Sequence, residues 1–116
     1  GNNMAFHQER LEKIYAREIA EVLRNEVKNP LLSFVTVTKV AITKDLSIAT
    51  IYYTVMGDQD EIEATKKALE NAKGFLRSEL ASRVNMRKVP DLKFKYDESI
   101  AYGNRIEELL AKINNK

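Results

Sequence analysis

The sequence predicts a small α+β domain, a three-stranded sheet with helices packed on one face. Three observations carry that expectation. Apolar residues recur at helical spacing over residues 6–28, two β-branched runs lie back to back between residues 34 and 55, and Leu92 to Tyr96 alternates apolar with charged positions. At 116 residues the chain holds one hydrophobic core, and its 44% hydrophobic content suits a folded domain. No apolar run approaches the ~20 residues of a membrane helix. Gly1-Asn2-Asn3 lacks the basic-then-apolar pattern of a signal peptide. Residues 1–3 are therefore read as a cloning remnant ahead of Met4, and residues 4–116 as a single domain.

The elements follow in order. Leu11, Ile14, Tyr15, Ile19, Val22, Leu23 and Val27 mark one face of a long first helix, which Asn29-Pro30 ends. Phe34 to Ile42 and Leu46 to Val55 read as two strands joined at Thr43-Lys44-Asp45. Asp58, with Glu61 three residues on, is a helix-start signal. The helix after it turns Ile62, Leu69, Ala72, Leu76, Leu80 and Val84 inward. Gly74 lies in its middle, where glycine costs about 1 kcal/mol relative to alanine, so two helical segments meeting at a kink are expected at Ala72-Lys73-Gly74. Val89-Pro90-Asp91 leads into a third strand, and a last helix is expected over residues 100–113. The order is α-β-β-α-α-β plus a terminal helix. A ferredoxin-like arrangement would need a strand before the first helix, where residues 1–6 are too few and too polar.

Charge is unevenly distributed. The net charge is only +2, yet residues 66–95 carry nine Lys or Arg against three acids, while the remainder is negative. Segregation of this kind creates a local field that the total conceals. Cysteine is absent, which excludes disulfides and thiolate chemistry and fits a reducing cytoplasm.

Little here supports catalysis. The single histidine, His7, sits near a chain end, where a general base would lack fixed orientation. No glycine-rich phosphate loop and no His-Glu-x-x-His occurs. The carboxylates have plain structural uses: Glu9, Glu12, Glu18, Glu21 and Glu26 take outer positions of the first helix, Asp45 a turn and Asp58 a cap. The residues call for no cofactor and no metal.

Gly74 admits two readings. If a second segment starts there, its first N–H groups lack intrahelical partners and favour phosphate, with Lys73 and Arg77 beside them and Arg83, Arg87 and Lys88 further along. Otherwise Gly74 allows close helix packing, and the basic residues only solubilise a face. Tyr52 and Tyr53 are adjacent on a strand, so at least one faces the core. Phe94 and Tyr96 share Leu92's face and are expected inside. Without an exposed aromatic run, recognition is expected through backbone and shape rather than base stacking.

Several short motifs now fall in one order: Arg17-Glu18-Ile19-Ala20, Asn29-Pro30-Leu31, Lys44-Asp45-Leu46, Ala49-Thr50-Ile51-Tyr52, Ala72-Lys73-Gly74-Phe75-Leu76-Arg77-Ser78, Val89-Pro90-Asp91-Leu92, Phe94, Tyr96-Asp97 and Ser99. In this the chain resembles the ribosome-binding factor A family, from about Phe6 to Ile113. The resemblance implies a type II KH-like fold and binding to the immature small (30S) ribosomal subunit. It further implies contacts with 16S ribosomal RNA, its precursor and neighbouring ribosomal proteins. Late subunit maturation, processing of the precursor 5′ end, growth in the cold and release by an assembly GTPase belong to the same implication. Ordinary KH domains carry a Gly-x-x-Gly loop that lets an RNA backbone approach closely. Ala72-Lys73-Gly74 stands there instead, so docking on folded RNA through phosphates is expected, not threading of a single strand. The expected RNA-binding residues are Ala72, Lys73, Gly74, Phe75, Arg77, Arg83, Arg87 and Lys88. The competing expectation is a protein-interaction module that uses the acidic first helix to meet a ribosomal protein or GTPase.

Overall fold

The computed structural model describes residues 2–99, with side chains from residue 7 onward. The helix expected over residues 100–113 lies outside the described residues. Helix α1 spans Asn2–Asn25, and a short 3-10 turn follows at Pro30–Phe34. Strands β1 (Val35–Ile42) and β2 (Ile48–Val55), helix α2 (Gln59–Arg83) and strand β3 (Asp91–Tyr96) complete the order. Asn29 opens the 3-10 turn by accepting the Leu31 N–H at 3.0 Å, with Pro30 at the first position, where its missing donor is harmless. Asp58 caps α2 as its spacing predicts, accepting the Glu61 N–H at 2.8 Å.

The sheet runs β1-β2-β3, with β1 antiparallel and β3 parallel to β2. Both helices cover the same face, α1 chiefly over β1 and α2 over β2 and β3. The core is built from Leu11, Tyr15, Ile19, Val22 and Leu23 of α1, Leu69, Leu76 and Leu80 of α2, and the inward strand positions Val40, Ile42, Ala49, Ile51, Tyr53, Val55 and Leu92. In β1 the inward positions change phase between Val37 and Val40. A β-bulge absorbs the change: Val37 pairs with Tyr53, then Lys39 with Tyr52, leaving Thr38 extra. Its hydroxyl donates to Asp97 Oδ2 at 2.7 Å, fastening β1 to the chain just beyond β3. Tyr53 therefore points inward and Tyr52 outward. Phe94 and Tyr96 pack half-buried on the core side, and Tyr96 meets the Tyr53 ring edge-on at 5.6 Å between centroids. Burial, with lesser contributions from Glu63, Tyr96 and Glu70, pushes the Tyr53 hydroxyl pKa up to about 12.

Two sequence expectations need correction. The first is the division of α2 into two segments at Gly74. Residues 59–83 form one continuous α-helix through Gly74, so the order among the described residues is α-β-β-α-β. Thr65, Leu69, Leu76 and Leu80 are all buried along one side, and that stripe keeps its helical phase across residues 72–76. A break would throw half of it out of register with the sheet, at a cost well above the ~1 kcal/mol of one glycine. The second concerns the first helix, which starts at Asn2 and whose carboxylates are not merely outer decoration. Glu12 accepts the Ile42 N–H at 2.7 Å, and Gln8, one turn earlier, donates to the Ile42 carbonyl. Together they close the end of β1.

Candidate nucleic-acid interface

Because α2 is unbroken, the amides of Phe75 to Arg77 lie inside a hydrogen-bonded helix and form no phosphate cradle. The expected residues divide into two groups. Ala72, Lys73, Gly74, Phe75 and Arg77 sit mid-helix, whereas Arg83, Arg87 and Lys88 lie at its end and in the connection to β3.

In the first group, Lys73 Nζ lies 2.7 Å from Glu70 Oε2 and 6.0 Å from the centre of the Phe94 ring. Ala72 is half-buried against the core. Arg77 is a clamp. Its Nε donates to the Pro90 carbonyl at 3.3 Å, its Nη2 to the Val89 carbonyl at 3.0 Å, and Asp91 Oδ1 lies 3.4 Å from Nε. This guanidinium holds the α2–β3 connection against the helix. Gly74 is exposed, and a Cβ built on it would meet nothing within 4 Å among the described residues beyond its own helix backbone. Packing within the described chain therefore does not account for this glycine. Phe75 beside it is 45% exposed, one of three large apolar side chains exposed among the described residues.

In the second group, Arg83 turns toward carboxylates rather than outward. Glu18, Glu21, Glu26 and Glu79 all place an oxygen within 3.6 Å of its guanidinium. Burial works to lower its pKa, but the bonds to Glu18 and Glu79 and the charge of Glu21 hold it above the ordinary value. Arg83 is a strut between α1 and α2. Arg87 and Lys88 are exposed, with no carboxylate within 4 Å among the described residues.

Arg87 and Lys88 face a groove of about 670 Å³ whose opposite wall is α1. Arg10 and Arg17 stand on that wall; Leu11, Ile14, Val84 and Met86 supply an apolar floor; Leu46 closes one end. Beneath the floor the buried Tyr15 hydroxyl donates to Met86 Sδ at 3.1 Å. Among the described residues, Glu18 is the only acid on the lining, and it is already paired with Arg83 and, at 3.7 Å, with Arg17. Leu46 adopts a positive φ of 60°, uncommon for a residue with a Cβ. Its side chain, packed against the core at the groove's end, offsets that strain. A second groove of about 650 Å³ lies between α2 and β3, but its lining mixes Lys66 and Lys95 with Glu70, Asp97 and Glu98. That balance suits a polyanion less well.

Sequence reasoning missed Arg10 and Arg17. The signal was present: His7, Arg10, Ile14 and Arg17 recur at helical spacing on one stripe of α1. What the sequence lacked was the wall facing that stripe. His7 is exposed on the groove lining. Among the described residues, no group of three or more His, Cys, Asp or Glu is placed to hold a metal ion, and no helix is long and apolar enough to cross a membrane.

Comparison with known proteins agrees with this architecture. The family described as Ribosome-binding factor A matches residues 7–110. Ribosome-binding factor A of Macrococcus caseolyticus is 49% identical over 111 residues, spanning 96% of this chain and 97% of that protein. The crystal structure of ribosome-binding factor A from Thermus thermophilus superposes with a TM-score of 0.69 at 31% identity, over 77% of this chain and 94% of that chain. Coordinates of the Thermus thermophilus factor, a homology model fitted into the cryo-EM map of a 30S complex, match with a TM-score of 0.66 at 31% identity, over 78% of this chain and 96% of that one. The element order is consistent with the KH-like fold expected from the sequence. On these grounds the chain belongs to the ribosome-binding factor A family.

Proposed function

We propose that this chain binds the immature small ribosomal subunit by laying the groove between α1 and the α2–β3 connection against phosphates of folded 16S ribosomal RNA. The observation that carries the reading is the set Arg10, Arg17, Arg87 and Lys88 around one groove whose single acid among the described residues is already paired. Cations that outnumber the carboxylates around them attract a polyanion and release its counterions. The exposed Gly74-Phe75 pair supports a close approach at mid-helix, because glycine leaves the backbone bare there. Lys73 and Arg77 contribute partial charge beside it, each already engaged by one carboxylate. The role is that of a cytoplasmic binding factor, not a catalyst, assisting late subunit maturation and processing of the precursor RNA. The 30S complex of the Thermus thermophilus factor supports the choice of subunit.

The rival docking through an acidic α1 has less to offer than composition implied. Glu12 is bound to β1, and Glu18, Glu21 and Glu26 are gathered on Arg83.

The test is cosedimentation with immature small subunits across a range of salt. Arg77 is a poor choice for reversal because it clamps the connection, and Glu12 a poor control because it closes β1. Arg87→Glu with Lys88→Glu should abolish most binding, whereas Lys13→Glu, on the exposed side of α1, should leave it nearly unchanged. Each phosphate contact removed should lower the log–log salt slope by roughly 0.7–0.9. Equal losses from the two changes, or a slope indifferent to Arg87 and Lys88, would refute the groove.

A further inference from the structure

The face of the sheet opposite the helices is uncovered among the described residues. None of its positions is buried: Thr36, Lys39 and Ala41 from β1, Ile48, Thr50, Tyr52 and Thr54 from β2, and Asp91, Lys93 and Lys95 from β3 are all exposed or half-exposed. Its centre is organised. Lys39 pairs with Tyr52 across the first ladder and Tyr52 with Lys95 across the second, so the three lie in one row. Lys39 Nζ sits 4.5 Å from the centre of the Tyr52 ring and Lys95 Nζ 5.8 Å from it, within the range of cation–π attraction. Lys93, two residues before Lys95, stands opposite Thr50, roughly 6–7 Å further along the strand. None of the three lysines has a carboxylate within 4 Å among the described residues. Of the acids bordering this row, Asp97, which feels the charge of Lys39, is held by Thr38 and Ser99, and Asp91 on the same face lies 3.4 Å from Arg77, while Glu98 shares the α2–β3 groove with Lys95.

We propose that this face is a second RNA-contact surface, in which Tyr52 positions Lys39 and Lys95, and Lys93 extends them, against the sugar-phosphate backbone of a double-helical RNA segment. The inference rests on the RNA-binding reading above and assigns it a second, separate surface. A duplex backbone fits better than a single strand. The Tyr52 ring already holds ammonium groups and offers no free platform for a base, whereas ammoniums flanked by threonine hydroxyls suit phosphate oxygens. It also fits better than a protein. Phe34 and Met56, the exposed apolar side chains at the β1–β2 end, lie at the margin, and the middle of the face is cationic rather than apolar. Lys93 begins the face on the side where the α2–β3 connection brings Arg87 and Lys88, so one RNA helix or two could run from groove to sheet.

The experiment measures binding of the whole chain to a protein-free RNA duplex of about 20 base pairs, and to immature small subunits, as salt is varied. The triple change Lys39→Gln, Lys93→Gln and Lys95→Gln should reduce the duplex log–log slope by about 2 and weaken affinity for both targets at least tenfold at moderate salt. Its melting temperature should stay near that of the unaltered chain. Tyr52→Leu, which keeps every charge but removes the ring, should give a smaller loss that Tyr52→Phe restores. Unchanged duplex affinity and slope in the triple variant, with Arg87→Gln and Lys88→Gln still reducing them, would overturn the second surface and leave the groove standing. Loss on subunits with duplex binding intact would also overturn it and point to a ribosomal protein. If neither set alters duplex binding, the RNA reading itself fails and takes this inference with it.

Discussion

Gly74 and Arg83 show how differently two residues of one candidate patch behave. Gly74 occupies an exposed helical position where a methyl group would meet nothing within 4 Å among the described residues beyond its own helix backbone. Gly74→Ala should therefore stabilise the fold by about 1 kcal/mol, raising the melting temperature by roughly 4 °C for a domain near this size. The same change should weaken subunit binding if the bare backbone is where RNA approaches. Calorimetry and cosedimentation on one variant separate the two effects. Arg83 is the opposite case. Arg83→Met leaves Glu18, Glu21, Glu26 and Glu79 facing one another without their cation, so it should lower the melting temperature clearly more than Arg87→Met. Comparable melts for the two would contradict the strut.

Helix α2 and the β1–β2 hairpin carry the next expectations. A proline is tolerated at the first turn of a helix but removes a hydrogen bond and clashes inside one. Gly74→Pro thus distinguishes one helix from two. In the continuous α2 it should cost about 3 kcal/mol or more, read from denaturant melts; near-neutral behaviour would restore the two-segment reading. In the hairpin turn, Asp45 Oδ1 accepts from the Ser47 hydroxyl at 2.7 Å, the Thr43 hydroxyl at 2.8 Å and the Ser47 N–H at 3.1 Å. These bonds, Ser47's first, pull its pKa from 3.8 down to about 2. The folded state consequently binds fewer protons than the unfolded chain across that window. The stabilisation is complete above 3.8 and disappears as pH falls through about 2. Asp45→Ala should flatten the dependence of melting temperature on pH between those values while leaving its shape near neutrality unchanged.

Across the described molecule, α1, α2 and the sheet place cations on separate faces, the groove at one and the open sheet at another. Sites that share no partners act nearly independently. Losses in binding free energy from the groove pair and the sheet triple should therefore add when the substitutions are combined, and a titration of all four proteins against one RNA duplex measures this. Strong non-additivity would mean that one RNA segment bridges both surfaces in a single coupled contact. The net charge of +2 conceals this organisation, because several acids are consumed inside the fold by Arg83, Arg77 and the end of β1.

Periodicity and local punctuation suffice for the elements themselves. The first-helix face, the Asp58 cap, the hairpin and the inward alternation of Leu92, Phe94 and Tyr96 all depend on residues within a few positions of one another, and each is legible before any coordinates. The ordered motifs from Arg17 to Ser99 likewise identify the family. Three-dimensional packing settles the rest. Whether Gly74 breaks α2 depends on a buried stripe opposite the sheet whose burial outweighs a propensity of ~1 kcal/mol. The bulge at Thr38 follows from the need to keep Val35 and Val37 inward together with Val40 and Ile42. Which cations remain available depends on pairings such as Arg83 with Glu18, 65 residues apart. A charge is free or neutralised according to what the fold brings beside it, and that neighbour is rarely close in the chain.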